Sequence, residues 1–326
     1  MPAPHPVLIV GGGNIAGGFD SARGNEGLPL THAGAFSRHA GFRLAACIEP
    51  DPERARAFAA HWGIPRTAAS FAELGASPGA FDAISICSPT SAHAQDIASA
   101  LTLKPRLIFC EKPVSPELDA TSAVVAACAA AGVTLMVNHT RRWAPDIGQL
   151  RADIAARTWG SLRSATGVYN KGVLNNGSHM LDLLAFLVGP LTPLWAGRPH
   201  WDHWPDDPSI AAALEGPDGL PIMLNIADAR DYALFELELV LERAVIRMEQ
   251  GGGAWRLRHA IDSPTFSGYK TLDAGGNQPG RYDAAMTAAI AEIAAVLDTG
   301  AEPASTGRTA LATQTLCHRI RQLAQA

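Results

Sequence analysis

A glycine-rich turn near the start of the chain is the first feature whose residue types and spacing indicate chemistry. Three glycines follow the apolar run Val7–Val10, and a helix can begin directly after them. The first glycine permits a tight turn, the third lets the backbone approach a pyrophosphate, and the new helix directs its N–H groups at the anion. The pattern predicts a dinucleotide site, with a plain structural turn as the alternative. The residues assigned to it are Gly11, Gly13, Asn14 and Ile15.

An acidic residue at the end of the second predicted strand fits this interpretation. Glu49 follows the apolar run Phe42–Ile48 and is placed to bond the ribose hydroxyls of a dinucleotide. It lies farther from Gly11 than the usual ~20 residues, and the polar segment Asp20–Leu30 accounts for the excess as an insertion. A carboxylate here would repel a 2′-phosphate, so NAD is favoured over NADP. The alternative is a solvated charge at a strand end.

Lys112 is the first candidate for catalysis. It follows the run Leu107–Cys110 and so emerges at the carboxyl end of a strand, where open α/β sheets bind ligands. An ammonium there can stabilise a developing alkoxide, and burial would bring its pKa toward a useful range. An ion pair with the neighbouring Glu111 is the ordinary alternative.

His179 is the second candidate, because it lies three residues before Asp182 on a predicted helix. Residues at this spacing share a helix face, so the carboxylate can fix the imidazole tautomer. A histidine at a helix start with a structural carboxylate nearby is the alternative.

The elements that position these residues begin with a pattern over residues 1–138. Short, almost wholly apolar runs alternate there with alanine-rich helical stretches. This alternation predicts a parallel sheet buried on both faces, which is a doubly wound Rossmann domain of α/β class. The predicted strands are Pro6–Val10, Phe42–Ile48, Ala80–Ser88, Leu107–Cys110 and Val133–Val137. The predicted helices are Asp51–Trp62, Ser91–Leu101 and Pro116–Ala131.

Residues 139–326 follow another pattern, which predicts a C-terminal α+β domain. Strand-like runs follow one another without long helices between them, which is typical of an antiparallel sheet. The Gly/Pro/Asn-rich stretch Asp273–Gly280 predicts a surface loop. The named strands are Ile222–Ile226, Phe235–Leu241 and Ala244–Met248. The named helices are Asp146–Arg157, one from near Gly177 to Val188, and two last ones, Tyr282–Leu297 and Thr306–Leu323, that can pack back on the first domain.

Four short blocks occur in order along the chain: Gly11–Ala16, Ser88–His93, Glu111–Pro113 and Gly177–Asp182. Together they resemble the glucose–fructose oxidoreductase, inositol dehydrogenase and rhizopine-catabolism family, abbreviated Gfo/Idh/MocA. The resemblance covers nearly the whole chain, and the Glu-Lys-Pro block is its most specific part. It implies an NAD(P)-dependent oxidoreductase that transfers a hydride between a nicotinamide and a hydroxyl or keto group of a sugar, polyol or sugar derivative. It also implies a large open sheet in the second domain and assembly into a homodimer or homotetramer.

The resemblance further implies roles for individual residues. Lys112 would position the reacting hydroxyl and contact the nicotinamide ribose, while His179 would exchange the substrate proton with support from Asp182. Further cofactor contacts would come from Ser88, Pro89, Thr90, His93 and Glu111. On residue types alone, the segment before His179, with Lys171, Asn175 and Asn176, is dense in neutral donors and acceptors and suits a polyhydroxylated substrate. Arg141 follows the last predicted Rossmann strand, where it would either meet a phosphate or carboxylate of the substrate or form an interdomain salt bridge.

One position departs from the family pattern. Many members carry an aspartate four residues before this histidine, where the present chain has Asn175. An amide can hold a hydroxyl or orient a histidine, but it cannot accept a proton. Acid–base chemistry would therefore fall on His179 and Lys112. The surrounding Asn-Asn-Gly-Ser run is equally an ordinary helix cap.

Composition excludes several other classes of protein. The 326 residues carry 26 basic and 31 acidic side chains, without the basic excess typical of nucleic-acid binders. No apolar run reaches the ~20 residues of a membrane helix, and the first ten residues lack an export signal. The five cysteines lie far apart, as free thiols in a reducing compartment do, so we expect a cytoplasmic location. No metal is expected, because the spacing of His200, Asp202 and His203 fits no usual metal motif.

Two other functions stay open on the sequence alone. One is a regulator on the same scaffold that senses NAD or a sugar without catalysis, which Asn175 favours and an intact Lys112 and His179 oppose. The other is a glycosidase or epimerase that recycles NAD within each turnover.

Overall fold

The chain divides into two compact units within the part that the computed structural model describes, residues 3–24 and 26–325. The first unit comprises residues 3–143 and 283–311, and the second comprises residues 144–282 and 312–325. Asn25, within the predicted insertion, lies outside the described residues. The predicted boundary at residue 138 stays a prediction.

The first unit is built on a six-stranded parallel sheet flanked by helices. Its strands are β1 (His5–Val10), β2 (Phe42–Ile48), β3 (Thr67–Ala68), β4 (Ala83–Ile86), β5 (Leu107–Cys110) and β6 (Thr134–Val137). The helices between these strands are α1 (Phe19–Ala22), α2 (His32–Arg38), α3 (Pro52–Trp62), α4 (Phe71–Leu74), α5 (His93–Thr102) and α6 (Leu118–Ala130). The strand order β3-β2-β1-β4-β5-β6 is that of a Rossmann domain, so the predicted N-terminal fold is confirmed.

The predicted elements of this unit agree best where the chain is most apolar. β2 and β5 have the predicted bounds, and β5 is buried along its whole length. Ala80–Ser88 is too long, because only Ala83–Ile86 pairs as a strand. The sequence named neither α2 nor α4 nor β3, which are all short.

The helix after the glycine turn is interrupted by the insertion. A π-helical turn, Asn14–Gly18, leads into α1, and the helical path resumes only at α2. Buried Asp20 closes the excursion, since its carboxylate accepts hydrogen bonds from the N–H groups of Leu30 (3.0 Å) and Thr31 (2.9 Å) and from the Thr31 hydroxyl (2.6 Å). That hydroxyl in turn accepts from Gly34 N and caps α2. The chain therefore returns to the sheet at His32.

The second unit contains a nine-stranded sheet. Its elements are α7 (Pro145–Ala155), β7 (Leu162–Tyr169), α8 (Ser178–Val188), β8 (Thr192–Ala196), β9 (Ala212–Glu215), β10 (Pro221–Ile226), β11 (Phe235–Leu241), β12 (Ala244–Glu249), β13 (Ala254–Asp262), β14 (Lys270–Leu272) and β15 (Gly276–Pro279). Only the β7–β10 pair is parallel among the described strand pairs of this sheet. The prediction of a mostly antiparallel sheet is confirmed.

The predicted loop Asp273–Gly280 is wrong in part, because β15 occupies its centre and pairs with β13. β15 is fully exposed, so it is held by backbone hydrogen bonds and needs no apolar side chains. The predicted last helices are present as α9 (Ala285–Thr299) and α10 (Gly307–Leu323). In the described part of the chain, no helix has the length and apolar character needed to cross a bilayer.

Candidate functional site

The glycine turn after β1 has two glycines in different situations. Gly11 has a φ of +92°, and a Cβ there would lie 2.8 Å from the backbone of Cys87 and of Ser88. Gly13 lies in extended backbone, with nothing within 4 Å of a Cβ built on it. Gly11 is therefore needed for the close approach of two strands, and Gly13 leaves open space beside the backbone. That a pyrophosphate occupies this space stays a prediction. Asn14 is exposed beside it, and Ile15 is half-buried.

Glu49 holds this turn from the end of β2. Its side chain is 6% exposed and accepts hydrogen bonds from Gly12 N (2.8 Å) and Asp51 N (3.0 Å). The Arg54 guanidinium lies 3.3 Å from the same carboxylate. A carboxylate has about four acceptor sites, so these contacts leave capacity for a ribose hydroxyl. The contact between Glu49 and ribose stays a prediction.

A cavity of about 650 Å³ opens between the turn and these side chains. It lies wholly within the first unit and includes the ends of β1, β2 and β4 and the segment Ala69–Ala72. Three carboxylates and one guanidinium line it, those of Glu49, Asp51, Asp96 and Arg54. Its place at the carboxyl ends of the strands is where dinucleotides bind on such sheets.

The residues of the Ser88–His93 block, which follows β4, have different roles around the cavity. Ser88 and Pro89 line the cavity, and the Ser88 hydroxyl donates to Asp96 at 2.5 Å. Burial raises the pKa of that aspartate. His93 is only 1% exposed, and its ring nitrogens lie 2.8 Å from the carbonyl oxygens of Ser88 and Pro113. His93 therefore braces this loop against the Glu-Lys-Pro loop, and half-buried Thr90 begins the short turn before it.

The Glu-Lys-Pro block follows β5, and the carboxylate of its glutamate contacts side chains from α2 and from the end of β6. Glu111 lies 2.9 Å from His32 Nε2 and accepts from Asn138 Nδ2 at 2.6 Å. The backbone N–H of Lys112 donates to the other oxygen at 3.3 Å. Burial opposes ionisation of Glu111, but His32, Asn138 and Lys112 outweigh it and lower its pKa. Lys112 is half-buried at the strand end.

The predicted substrate residues of the second unit lie on one segment, from the end of β7 to the start of α8. Lys171 has a φ of +65° and precedes a π-helical turn, Gly172–Gly177. Such turns are frequent at functional sites. Asn175 Nδ2 donates to the Lys171 carbonyl at 3.1 Å, and the half-buried His179 lies in the first turn of α8. The buried Asp182 accepts from the Thr313 hydroxyl at 3.2 Å.

Two buried aspartates fix the backbone of this segment. Asp202 accepts from Lys171 N (2.9 Å), and Asp207 accepts from Leu174 N (2.9 Å) and Asn175 N (2.8 Å). Sequence reasoning missed both, because no spacing pattern joins a carboxylate to a backbone amide 31 residues away. Asp202 serves here as a structural acceptor rather than as a metal ligand.

His200 has an acidic partner outside its own segment. His200 Nε2 lies 2.9 Å from Asp228, whose carboxyl has a pKa held below its usual range, chiefly by Arg230. Among the described residues, no group of three His, Cys, Asp or Glu side chains is arranged to hold a metal ion. Arg141 is half-buried in the turn Thr140–Trp143 of the first unit.

The fold and the open glycine turn define a Rossmann-type dinucleotide-binding protein. The profile of the family described as oxidoreductases with an NAD-binding Rossmann fold, Gfo/Idh/MocA, matches residues 6–139. This match, over residues 6–139 of the 326, confirms the resemblance seen in the sequence.

Individual relatives match parts of the chain. The uncharacterized oxidoreductase YrbE of Bacillus subtilis is 38% identical over 120 residues, 37% of this chain and 35% of that protein. D-apiose dehydrogenase of Paraburkholderia graminis is 29% identical over 260 residues, 70% of this chain and 66% of that protein. The chain thus spans between about a third and two thirds of these curated relatives. A putative NADPH-dependent oxidoreductase of Desulfitobacterium hafniense shares the fold, with a TM-score of 0.80 at 16% identity, over 100% of this chain and 97% of that one.

The role of Asp207 generates a prediction that needs no substrate. Asp207→Ala removes the side-chain acceptor of two backbone N–H groups, those of Leu174 and Asn175. The free energy of local opening should fall by ~2 kcal/mol, because a lost hydrogen bond to a charged group costs about 1–3 kcal/mol. Amides of Gly172–Gly177 should then exchange with deuterium about 30-fold faster by mass spectrometry. Asp206→Ala, which alters the exposed neighbour, is the control and should leave exchange unchanged. Equal exchange in both variants would contradict the anchoring role.

Proposed function

We propose that this protein is an NAD-dependent oxidoreductase that transfers a hydride between its cofactor and a hydroxyl or keto group of a sugar, polyol or sugar derivative. The observation that supports this most is that Gly13, Glu49 and Lys112 each follow the carboxyl end of a strand in the same parallel sheet, and that Glu49 lines a cavity at this edge. D-apiose dehydrogenase among the relatives supports a sugar-type substrate.

The charges of the cavity support NAD as the cofactor. Its one arginine, Arg54, already faces Glu49 at 3.3 Å and Asp51 at 3.6 Å. A 2′-phosphate would therefore gain little from Arg54, because the Glu49 and Asp51 carboxylates already neutralise its guanidinium. The Glu49 carboxylate would also repel the phosphate. A ribose with free hydroxyls requires only an acceptor, which Glu49 supplies.

The proposed chemistry assigns separate tasks to an ammonium and an imidazole. When bound, the nicotinamide supplies C4 as the hydride acceptor. Lys112 donates a hydrogen bond to the reacting hydroxyl oxygen and stabilises the negative charge that develops on it. His179 accepts the hydroxyl proton, which a neutral imidazole can do near pH 7.

Asn176, one of the proposed substrate residues of the second unit, lines an opening of about 440 Å³. Asn176, Glu236 and Gln250 contribute polar side chains to it. Amide and carboxylate groups of this kind suit a ligand with several hydroxyls. We assign Lys171, Asn175 and Asn176 to substrate binding, and Arg141 to a phosphate or carboxylate group of the substrate.

A homodimer or homotetramer through the open sheet is also proposed. The register aligns Trp195, Ala213 and Met223 on one face of β8, β9 and β10. Trp195 and Met223 are 53% and 42% exposed, and an exposed apolar patch of this kind is typical of an interface.

The preference for NAD is tested on Glu49. Glu49→Gln removes the charge that repels a 2′-phosphate and should narrow the ratio of NADP to NAD dissociation constants by about tenfold, measured by calorimetry. Glu53→Gln makes the same chemical change at an exposed position outside the cavity, and its ratio should stay at the parent value. Tighter binding of NADP than NAD by the parent protein would contradict the assignment.

The catalytic assignment is tested on Lys112. With D-apiose, other aldoses and inositols as the panel, Lys112→Ala should lower kcat/KM for NADH formation by about 10²- to 10³-fold, the range for one lost donor that stabilises a developing oxyanion. The dissociation constant of NAD should rise by a much smaller factor, because the glycine turn and Glu49 are still present to hold the cofactor. Lys104→Ala, at an exposed lysine of the same unit, is the control. Unchanged turnover in Lys112→Ala would reject the mechanism, and cofactor binding without NADH across the panel would favour the regulator.

A further inference from the structure

A closed polar cluster lies beneath the Glu-Lys-Pro loop, and the proposed mechanism does not use its innermost member. His32 is 0% exposed; its Nδ1 lies 2.7 Å from the Ser85 hydroxyl and its Nε2 lies 2.9 Å from the Glu111 carboxylate. Asn138 adds a second donor to the same Glu111 oxygen, at 2.6 Å. The cluster thus joins α2, β4 and the ends of β5 and β6.

The position of His32 is fixed independently of Glu111. The Asp20 contacts return the chain to the start of α2, and the Thr31 hydroxyl caps that helix. The imidazole then packs against the Phe109 ring, with 4.7 Å between ring centroids. The chain that returns from the insertion therefore places one buried histidine against one partly buried carboxylate.

The charges around this pair are few. Burial opposes a charged His32 imidazole, but the interactions with Cys87 and then with Glu111 outweigh that burial and raise the pKa of His32. The groups that face Glu111 are His32, Asn138 and Lys112. The sulfur of Met286 lies 3.6 Å from Asn138 Nδ2 and adds no charge. The favoured state of the cluster is an imidazolium paired with a carboxylate, one residue before Lys112.

We propose that His32 is a positioning residue for the reaction: it neutralises and holds Glu111, and so sets both the charge beside the Lys112 ammonium and the orientation of the Lys112 peptide. The inference rests on the proposed catalytic role of Lys112. The Lys112 N–H donates to the Glu111 oxygen that neither His32 nor Asn138 contacts, so a shift of this carboxylate also moves the Lys112 backbone. Without the imidazolium, the full charge of Glu111 would attract the ammonium that must serve the substrate hydroxyl.

The test uses His32→Gln, which keeps a neutral donor near the Nε2 position but removes the positive charge. The alkaline limb of the kcat/KM–pH profile, which reports loss of the Lys112 proton, should move upward by about 1 pH unit, since an unbalanced carboxylate favours the ammonium. We expect kcat to fall about tenfold, with the NAD dissociation constant unchanged. His61→Gln, at an exposed histidine of α3, is the matched control.

A second substitution separates charge from structure. Glu111→Gln alone should move the same limb downward, because the imidazolium is then unbalanced. The double variant should return the limb close to that of the parent protein. If His32 had only a structural role, none of the three variants would shift the alkaline limb. Limbs that coincide in all three variants would therefore overturn the inference, while Lys112→Ala would still lose turnover. Retained turnover in Lys112→Ala would instead reject the proposed function itself.

Discussion

The parallel pairing of β1 with β2 and β4, and of β4 with β5, is the constraint on which the first unit depends. Parallel strands end at the same edge of a sheet, so the glycine turn, Glu49, Ser88 and Glu111 all follow strand ends at one edge. Each of these loops exposes polar backbone that must be satisfied locally. Glu49 satisfies the glycine turn, and His93 joins the loops after β4 and β5. The same hydrogen bonds that close this edge also shape the cavity.

Three buried carboxylates likewise accept hydrogen bonds from backbone N–H groups in irregular segments of the chain. Asp20 closes the insertion, Asp202 accepts from Lys171, and Asp207 accepts from the π-helical turn before α8. A carboxylate offers several acceptor sites, so one side chain can order two or three amides that no helix or sheet can use. The residues proposed for substrate binding therefore lie on a segment whose shape is set by side chains elsewhere in the chain.

The sequence predicts this fold well where periodicity and burial act together. Phe42–Ile48 and Leu107–Cys110 were placed with correct bounds because a strand buried on both faces must be almost wholly apolar. Gly276–Pro279 was missed because an exposed edge strand has no such requirement. The glycine turn and Glu111 were visible as motifs, whereas the pairing of His32 with Glu111 depends on how far an insertion carries the chain. Such contacts between distant residues follow from tertiary packing and leave no local pattern.

The proposed reaction moves a hydride between the carbon that carries the reacting hydroxyl and C4 of the nicotinamide of NAD, while the hydroxyl proton goes to a base. The most direct measurement is mass spectrometry of the nicotinamide after incubation with NAD and sugars or polyols deuterated at each CH–OH carbon in turn. We expect deuterium from one carbon of a substrate to appear in the reduced cofactor, in proportion to the oxidised product. Tight binding of NAD without deuterium in the nicotinamide for any substrate would contradict it.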